Sequence, residues 1–389
     1  MDGDGTTAGN AAEGRLRVLH IVQNLNYGGM ERLLFEMLRR SDRTRVESHV
    51  LNLQFVGRFG EGLGAYASVS VAPPMSRLSL LRPRALEQAI AAIRPHVVHT
   101  HSGVWYKASL AARMAGVPWL VHTEHGRAYP DPWLARKLDG AAARRTDVVV
   151  AVSDTVAGLL KSNVSRRWDR IHVVPNGVDI ALFRPQPDDG ALRAELGLTS
   201  TVPIIGSVGR LEPVKGFEVM VDAYAALRRR WSDREAPLLV IAGDGSERAA
   251  LHARASAAGI ADGVRWLGWR DDIHRLHAAF TIFTMSSHSE GTSVSLLEAM
   301  SAGLCPIVTD VGGNSAVLGS ALRHRLVAAG DSSRLGAAWD EVLRDSAARQ
   351  TDGSAARARV ADAFTLDAMV RAYERLYRRE GIAAARARA

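Results

Sequence analysis

The feature that most constrains this chain is the form of its apolar runs, which are short, rich in Val, Ile and Leu, and unbroken by regular polar alternation. RVLHIV at 17–22, DVVVAVS at 147–153, VPIIGSVG at 202–209, PLLVIAGDG at 237–245 and CPIVTD at 305–310 are of this kind. A strand wetted on one face alternates apolar with polar side chains. Runs that do not alternate imply strands covered on both faces, hence parallel sheets flanked by helices. Longer amphipathic segments lie between the runs, and in 31–40 the spacing of Leu33, Leu34, Met37 and Leu38 predicts one apolar helix face. ESHVLNL, HVVHTH, WLVHTE, IHVVP, VRWLG and FTIFTM are further strand candidates. The expected fold class is α/β, with two doubly wound Rossmann-like parallel-sheet domains facing a central cleft. In open sheets of this type, ligands bind beyond the carboxyl ends of the strands.

With 389 residues, 47% of them hydrophobic, the chain can bury a separate core in each domain. The stretch VPNGVDIALFRPQPDDG leads into a joint around 185–197, rich in Pro, Gly and Asp. It divides a first domain, 15–183, from a second, 184–366. Residues 1–14 and 381–389 are expected to be disordered tails. The single cysteine, Cys305, forbids an internal disulfide and fits a reducing compartment. No apolar run reaches about 18 residues, and the start lacks the basic and apolar regions of a secretory signal, so a cytoplasmic protein is expected.

Five segments can carry chemistry. In FTIFTMSSHSEGTSVSLLEAMSAG a strand ends in a loop holding Glu290, and a helix begins near Thr292 or Ser293 and carries Glu298 in its second turn. The amides around Ser293 and Val294 would be first-turn donors, a seat for phosphate. GSVGRLEPVKGF places Arg210 and Lys215 on one strand-end loop, a fork and a point charge suited to a diphosphate. NLNYGGMERLL offers Gly28 and Gly29 before a helix, where backbone can approach a ligand. His125, in VHTEHG just past a strand, can face the cleft. GWRDDIHRLHAAF, with Trp269 and Arg270, could edge a flat base, with Asp271 or Asp272 capping the next helix. The H-x-H pair His99 and His101 invites a metal reading, but no carboxylate pattern or HExxH helix accompanies it, so no metal is expected.

Taken together, YGGMERLL, VHTEHG, VPNGVDIALF, GRLEPVKGF, LVIAGDGSE, LGWRDDI and EGTSVSLLEAMSAG with VTDVGG resemble a retaining glycosyltransferase of family 4, with the two-domain GT-B fold. The segments occur in family order over about 16–320, and YERLYRR resembles the family's final helix. The resemblance implies that this helix, 367–380, packs back on the first domain. It implies a nucleoside-diphosphate sugar as donor, no metal or other cofactor, and retention of anomeric configuration. Arg210 and Lys215 match the pair on the donor diphosphate, and Glu298 matches the acid on the ribose. Glu290 matches the acid facing the transferred sugar. Gly291, Thr292, Ser293 and Val294 complete the loop near phosphate. His125 matches the first-domain histidine near the sugar, and Gly28 and Gly29 match the loop closing over it. Trp269 and Arg270 stand where the base would lie. This chain has Thr292 and Ser293 where the family often has an aromatic and a glycine, and Asn314-Ser315-Ala316 where Pro-Glu often follows the paired glycines. Its versions of the histidine and acid blocks resemble a subset linked to exopolysaccharide or protein-export loci.

The implied acceptor is a glycan or a lipid-linked sugar. Residues 15–183 hold 23 basic and 13 acidic residues, whereas 184–372 hold 21 and 23, so the positive excess falls on the acceptor half. An anionic membrane surface or a phosphorylated acceptor accounts for that excess better than the donor does, and nucleic acid is not expected as a partner. The rival readings are a nucleotide-sugar epimerase on the same fold and a non-catalytic sugar-nucleotide-binding subunit. A dinucleotide oxidoreductase is disfavoured by the missing GxGxxG.

Overall fold

A computed structural model describes residues 14–26, 28–75, 77–126, 132–164, 171–198, 202–231 and 236–380. The two tails therefore lie, but for Gly14, outside the described residues. Among those residues the strands β1 (Leu16–Val22), β2 (Val46–Asn52), β3 (Ser68–Val71), β4 (Val97–His101), β5 (Trp119–Glu124), β6 (Val148–Ala151) and β7 (Ile171–Val173) form one sheet. Its order is β3-β2-β1-β4-β5-β6-β7, parallel throughout. A second sheet holds β8 (Ile204–Val208), β9 (Leu238–Ala242), β10 (Val264–Gly268), β11 (Ile282–Met285), β12 (Pro306–Thr309) and β13 (Leu326–Val327). Its order, β10-β9-β8-β11-β12-β13, is also parallel. This is the GT-B arrangement of two Rossmann-like sheets.

The unbroken runs sit in sheet interiors. β4, β5, β6, β9, β11 and β12 are buried at every residue. The sequence pattern misses β3 and β13. β3, SVSV, is an edge strand with no buried residue, and β13 has two residues. Each sheet packs helices on both faces; the helix Gly29–Arg40 buries Leu33, Leu34, Met37 and Leu38 against the first sheet.

The chain passes between the two cores twice. Val174 belongs to the core of the first sheet, but Val178 and Phe183 pack into the core of the second, ahead of the Pro-rich stretch. The return lies at 364–366, where Val178 N–H donates to Phe364 O and Leu366 N–H to Val178 O, both at 2.9 Å. From there the helix Leu366–Tyr377 buries Met369, Val370, Tyr373, Leu376 and Tyr377 on the first sheet. Two passages, running parallel at Val178 and Thr365 and tied by backbone bonds, form the connection between the domains.

In each sheet the strand order reverses beside the first strand, between β1 and β4 and between β8 and β11. The segments following β1 and β11 meet there, Gly29 against Val294, in the cleft where an open α/β sheet holds its ligands.

Candidate active site

The second-sheet wall of the cleft is built on ion pairs. β8 runs into Arg210, which is exposed, and Lys215 follows on a short 3-10 turn. Gly216 ends that turn with φ +60°, and a Cβ there would lie 2.3 Å from Ser286 O. Only glycine lets the Lys215 turn press onto the loop that leaves β11. Lys215 Nζ then reaches Glu290 Oε1 at 2.6 Å, and Ser287 Oγ donates to the same oxygen at 2.6 Å. Gly312, φ +55°, supports the loop from below, its missing side chain leaving room for Glu290 O. Asn314, at a point of departure from the family pattern, is buried and donates to Thr309 O at 2.9 Å, so it braces the same turn.

The helix Val294–Ser301 begins after Ser293, whose hydroxyl accepts from Leu296 N–H. Such caps satisfy one first-turn amide and leave others directed into the cleft. Glu298 is buried on this helix, and Arg32 Nε from the first domain lies 3.2 Å from its Oε1. Burial pushes the Glu298 carboxyl above the ordinary glutamate range, and Arg32 draws it back down. Arg32 also lies 5.3 Å over the Phe183 ring. Its neighbour Glu31 is pushed up by burial and pulled down by its own backbone amide and by the charge of Arg210. Adjacent residues of one first-domain helix thus answer two charges of the second domain.

The first-sheet wall is built from glycines and imidazoles. Gly28 precedes the helix Gly29–Arg40 in an extended conformation, and a Cβ on Gly29 would stand 3.7 Å from Val294 Cγ2. Two helix N-termini, one from each domain, therefore face each other across the cleft. His125 follows β5. Its backbone N–H donates to Ser102 Oγ at 3.2 Å, and Ser102 donates to the buried Glu124 carboxylate at 3.2 Å. The His125 ring contacts His101, Nε2 to Nδ1 at 3.2 Å, while its own Nδ1 is buried with no hydrogen-bond partner among the described residues. Burial lowers the His125 pKa to about 4, against a smaller opposing pull from Glu124, so the ring is neutral at pH 7.

His20, His99 and His101 place ring nitrogens within 4.8 Å of one another, the one such cluster among the described residues. Both nitrogens of His99 are already engaged, by Tyr377 Oη and Thr123 Oγ1 at 2.7 Å each, and His20 meets His101 at 3.2 Å. A metal could enter only by breaking these bonds.

Several residues expected at the donor join the domains. A Cβ on Gly291 would lie 2.3 Å from His125 O, and Gly126 (φ +94°) abuts Gly291 from the other side. Thr292 Oγ1 donates to Val152 O, Asn176 Nδ2 donates to Thr292 O at 2.7 Å, and Thr155 Oγ1 donates to Gly312 O at 2.9 Å. Trp269 carries Arg58 of the first domain over its ring at 4.1 Å. Arg270 is held by Glu195 at 2.8 Å and Asp272 at 2.7 Å. Asp272 occupies the N-cap position of Ile273–Ala279 without a side-chain capping bond. Its carboxylate is spent on Arg270, which corrects the expected capping role.

Sequence reasoning missed Glu31, Arg32, Arg58, His20 and Asn176 as parts of this region. Glu31 and Arg32 follow the glycine pair directly in YGGMERLL, which was the available signal; the others have partners far away in sequence.

Family models for Glycosyltransferase Family 4 and for glycosyl transferases group 1 match residues 27–182 and 188–359, one for each domain. The chain is a family-4 glycosyltransferase. It is 32% identical to the D-inositol 3-phosphate glycosyltransferase of Jonesia denitrificans over 313 residues, 74% of this chain and 72% of that protein. It is 30% identical to EpsF of Bacillus subtilis (strain 168) over 315 residues, 76% of this chain and 79% of that one. A crystal structure of Anabaena Alr3699/HepE in complex with UDP and glucose has the same fold, with a TM-score of 0.81 at 22% identity, covering 93% of this chain and 99% of that one. The activity of this family-4 protein is accordingly glycosyl transfer. Among the described residues no helix is long and apolar enough to cross a membrane.

Proposed function

We propose that the chain moves a sugar from a nucleoside diphosphate to a glycan or lipid-linked acceptor, with retention at the anomeric carbon and without a metal. The observation that carries the reading is the convergence of Arg210, Lys215 and the Val294 helix N-terminus beside two acids of unlike surroundings, the Lys215-paired Glu290 and the buried Glu298. Arg210, Lys215 and the free first-turn amides would take up the charge that develops as the diphosphate leaves, a stabilisation that needs no metal. Glu298 would accept the ribose hydroxyls, exchanging its contact with Arg32 for them. Trp269 and the backbone at Arg270 would edge the base, while Gly28 and Gly29 close over the sugar. Glu290, steadied by Lys215 and Ser287, and His125 would hold the sugar hydroxyls from opposite walls. The acceptor hydroxyl would then attack from the face the diphosphate leaves, its proton passing to the departing phosphate oxygen, so no covalent nucleophile is required. The joint between the domains would govern opening for product release.

The solved structure holding UDP and glucose supports a UDP-sugar as the first donor to test, and the inositol-phosphate enzyme supports a phosphorylated acceptor. The basic excess of the first domain fits either such an acceptor or an anionic membrane. That half also exposes Leu81, Trp133 and Leu134, with Lys137 4.7 Å over the Trp133 ring, a pairing suited to a lipid interface.

The test is a panel of UDP-, GDP- and ADP-sugars with sugar-phosphate and lipid-diphosphate acceptors in EDTA. Product anomers would be assigned by NMR. Retained configuration with chelator present is expected; inversion, or donor isomerised without acceptor, would overturn the reading. Cosedimentation with vesicles should rise with anionic lipid content, and indifference to that content would remove the membrane part.

A further inference from the structure

We propose that His20, His101 and His125 form one hydrogen-bonded file, in which His20 and His101 are positioning residues that fix whether His125 Nδ1 offers the donor sugar a proton or a lone pair. The inference rests on the proposed placement of the sugar against His125 and deepens it.

The file follows from strand register. β1 and β4 are neighbours with His20 opposite His99, and His101 lies two residues further along on the same face. His125 stands one residue past the end of β5, the next strand over. Side chains from three adjacent strands therefore line up from the interior of the first domain toward the cleft. His20 Nδ1 meets His101 Nε2 at 3.2 Å, and His101 Nδ1 meets His125 Nε2 at 3.2 Å. Successive rings are nearly parallel, with interplanar angles of 23° and 25°.

Burial holds all three rings neutral. The pKa of His20 falls to about 3, that of His125 to about 4, and that of His101 well below 6.5. A neutral imidazole has one N–H and one bare nitrogen. A ring that donates to one neighbour must therefore accept from the other, and only two arrangements satisfy both contacts. In the outward one, His20 Nδ1–H donates to His101, His101 Nδ1–H donates to His125, and His125 Nδ1 carries the last proton. In the inward one every bond is reversed and His125 Nδ1 is bare. Any mixture sets two protons or two lone pairs face to face. The tautomer of His125 is thus coupled to a residue two rings away, and its Nδ1, buried and without a partner among the described residues, is the unpaired end of the file.

The surroundings do not branch it. His99 lies 4.1 Å from His101 between ring centres, but its nitrogens are taken by Tyr377 and Thr123, and Thr123 is in turn met by Tyr373. His122 is bonded to Thr100 through Nδ1 and stacks on Trp105. Glu124 is the charged group beside His125, and Ser102 and the Gly126 amide both donate to it. β1, β4, β5 and the helix Leu366–Tyr377 bury His20 and His101, while His125, just past β5, is half-buried.

The test uses the full chain labelled with ¹⁵N-histidine, without donor. Long-range ¹H–¹⁵N spectra at pH 7 should show His20, His101 and His125 neutral, with His125 in one dominant tautomer. His20→Phe, which changes no atom touching His125, should move the His125 nitrogens toward the average of the two tautomers and lower kcat roughly fivefold, the worth of one misdirected hydrogen bond. Donor KM should hardly change. His20→Asn, whose amide can donate or accept toward His101, should restore both signals. If the phenylalanine variant is unfolded, the wild-type spectrum and the asparagine variant still decide. An imidazolium at any of the three positions, or a His125 tautomer indifferent to His20, would overturn the file. So would one equivalent of zinc captured by His20, His99 and His101 together. Coupled tautomers in a protein whose transfer tolerates His125→Ala would instead leave the file standing and refute the sugar contact.

Discussion

The two walls of the cleft solve one physical problem in opposite ways. The second-sheet wall keeps its polar groups charged and pairs them, Lys215 with Glu290 and Arg32 with Glu298. The first-sheet wall keeps its buried histidines neutral and links them as imidazoles. Both avoid an unpaired buried charge, the costliest option. The difference matches what each wall is proposed to meet: a diphosphate needs fixed positive charge opposite it, whereas sugar hydroxyls need donors and acceptors of set direction.

The comparison can be broken most severely at Lys215. Lys215→Ala should lower kcat/KM by about 10²–10³-fold, the usual loss when one group facing developing oxyanion charge is removed. Steady-state kinetics with a fixed acceptor would measure it, and a loss under threefold would mean that the charged wall does not serve departure. Arg32→Ala should cost about 3 kcal/mol in urea unfolding, because it strands a buried carboxylate. Arg32→Ala combined with Glu298→Gln should recover much of that stability while leaving transfer impaired.

Acid sharpens the contrast. The His20, His101 and His125 pKa values lie below 6.5 in the fold, so the unfolded chain binds more protons once pH drops below that value. Stability should fall from pH 6.5 toward pH 4 by up to about 1.4 kcal/mol per pH unit for each ring. Glu298 works in the other direction: its raised carboxyl gives stability that is complete below the ordinary glutamate value of 4.5 and lost as pH rises through its folded value. Thermal melts of His20→Asn should show a shallower acid slope than the wild type, and an unchanged slope would count against a neutral first wall. The smallest effect is expected at Arg270→Ala. Its guanidinium is committed to Glu195 and Asp272 near the surface, so melting should shift by about 1 kcal/mol or less. Donor KM should move far less than in Lys215→Ala.

Much of the fold was legible because its signal is local. Unbroken runs such as VVVA at 148–151 and LLVIA at 238–242 name buried parallel strands wherever they occur. The strands that escaped, β3 and β13, are an exposed edge and a two-residue pair, whose identity comes from a neighbour. The candidate site divides in the same manner. Arg210, Lys215, Glu290 and Glu298 stand in loops or a helix start whose residue types announce phosphate and hydroxyl chemistry. Thr292 carried the same local promise, yet its hydroxyl is spent on Val152, 140 residues away in sequence. Asp272 read as a cap, and an arginine two residues earlier took it.

By itself, the sequence determined two parallel-sheet domains, the order of the family's segments, and the residue types that line the cleft, because periodicity and turn chemistry act within a few residues. Only the tertiary structure decided which charges answer one another and which stay neutral. Arg32 meets Glu298, and His20 meets His101 and through it His125, only where strand register and domain contact bring distant segments together. Whether a buried group keeps its charge depends on that company, and a one-dimensional pattern holds no record of it.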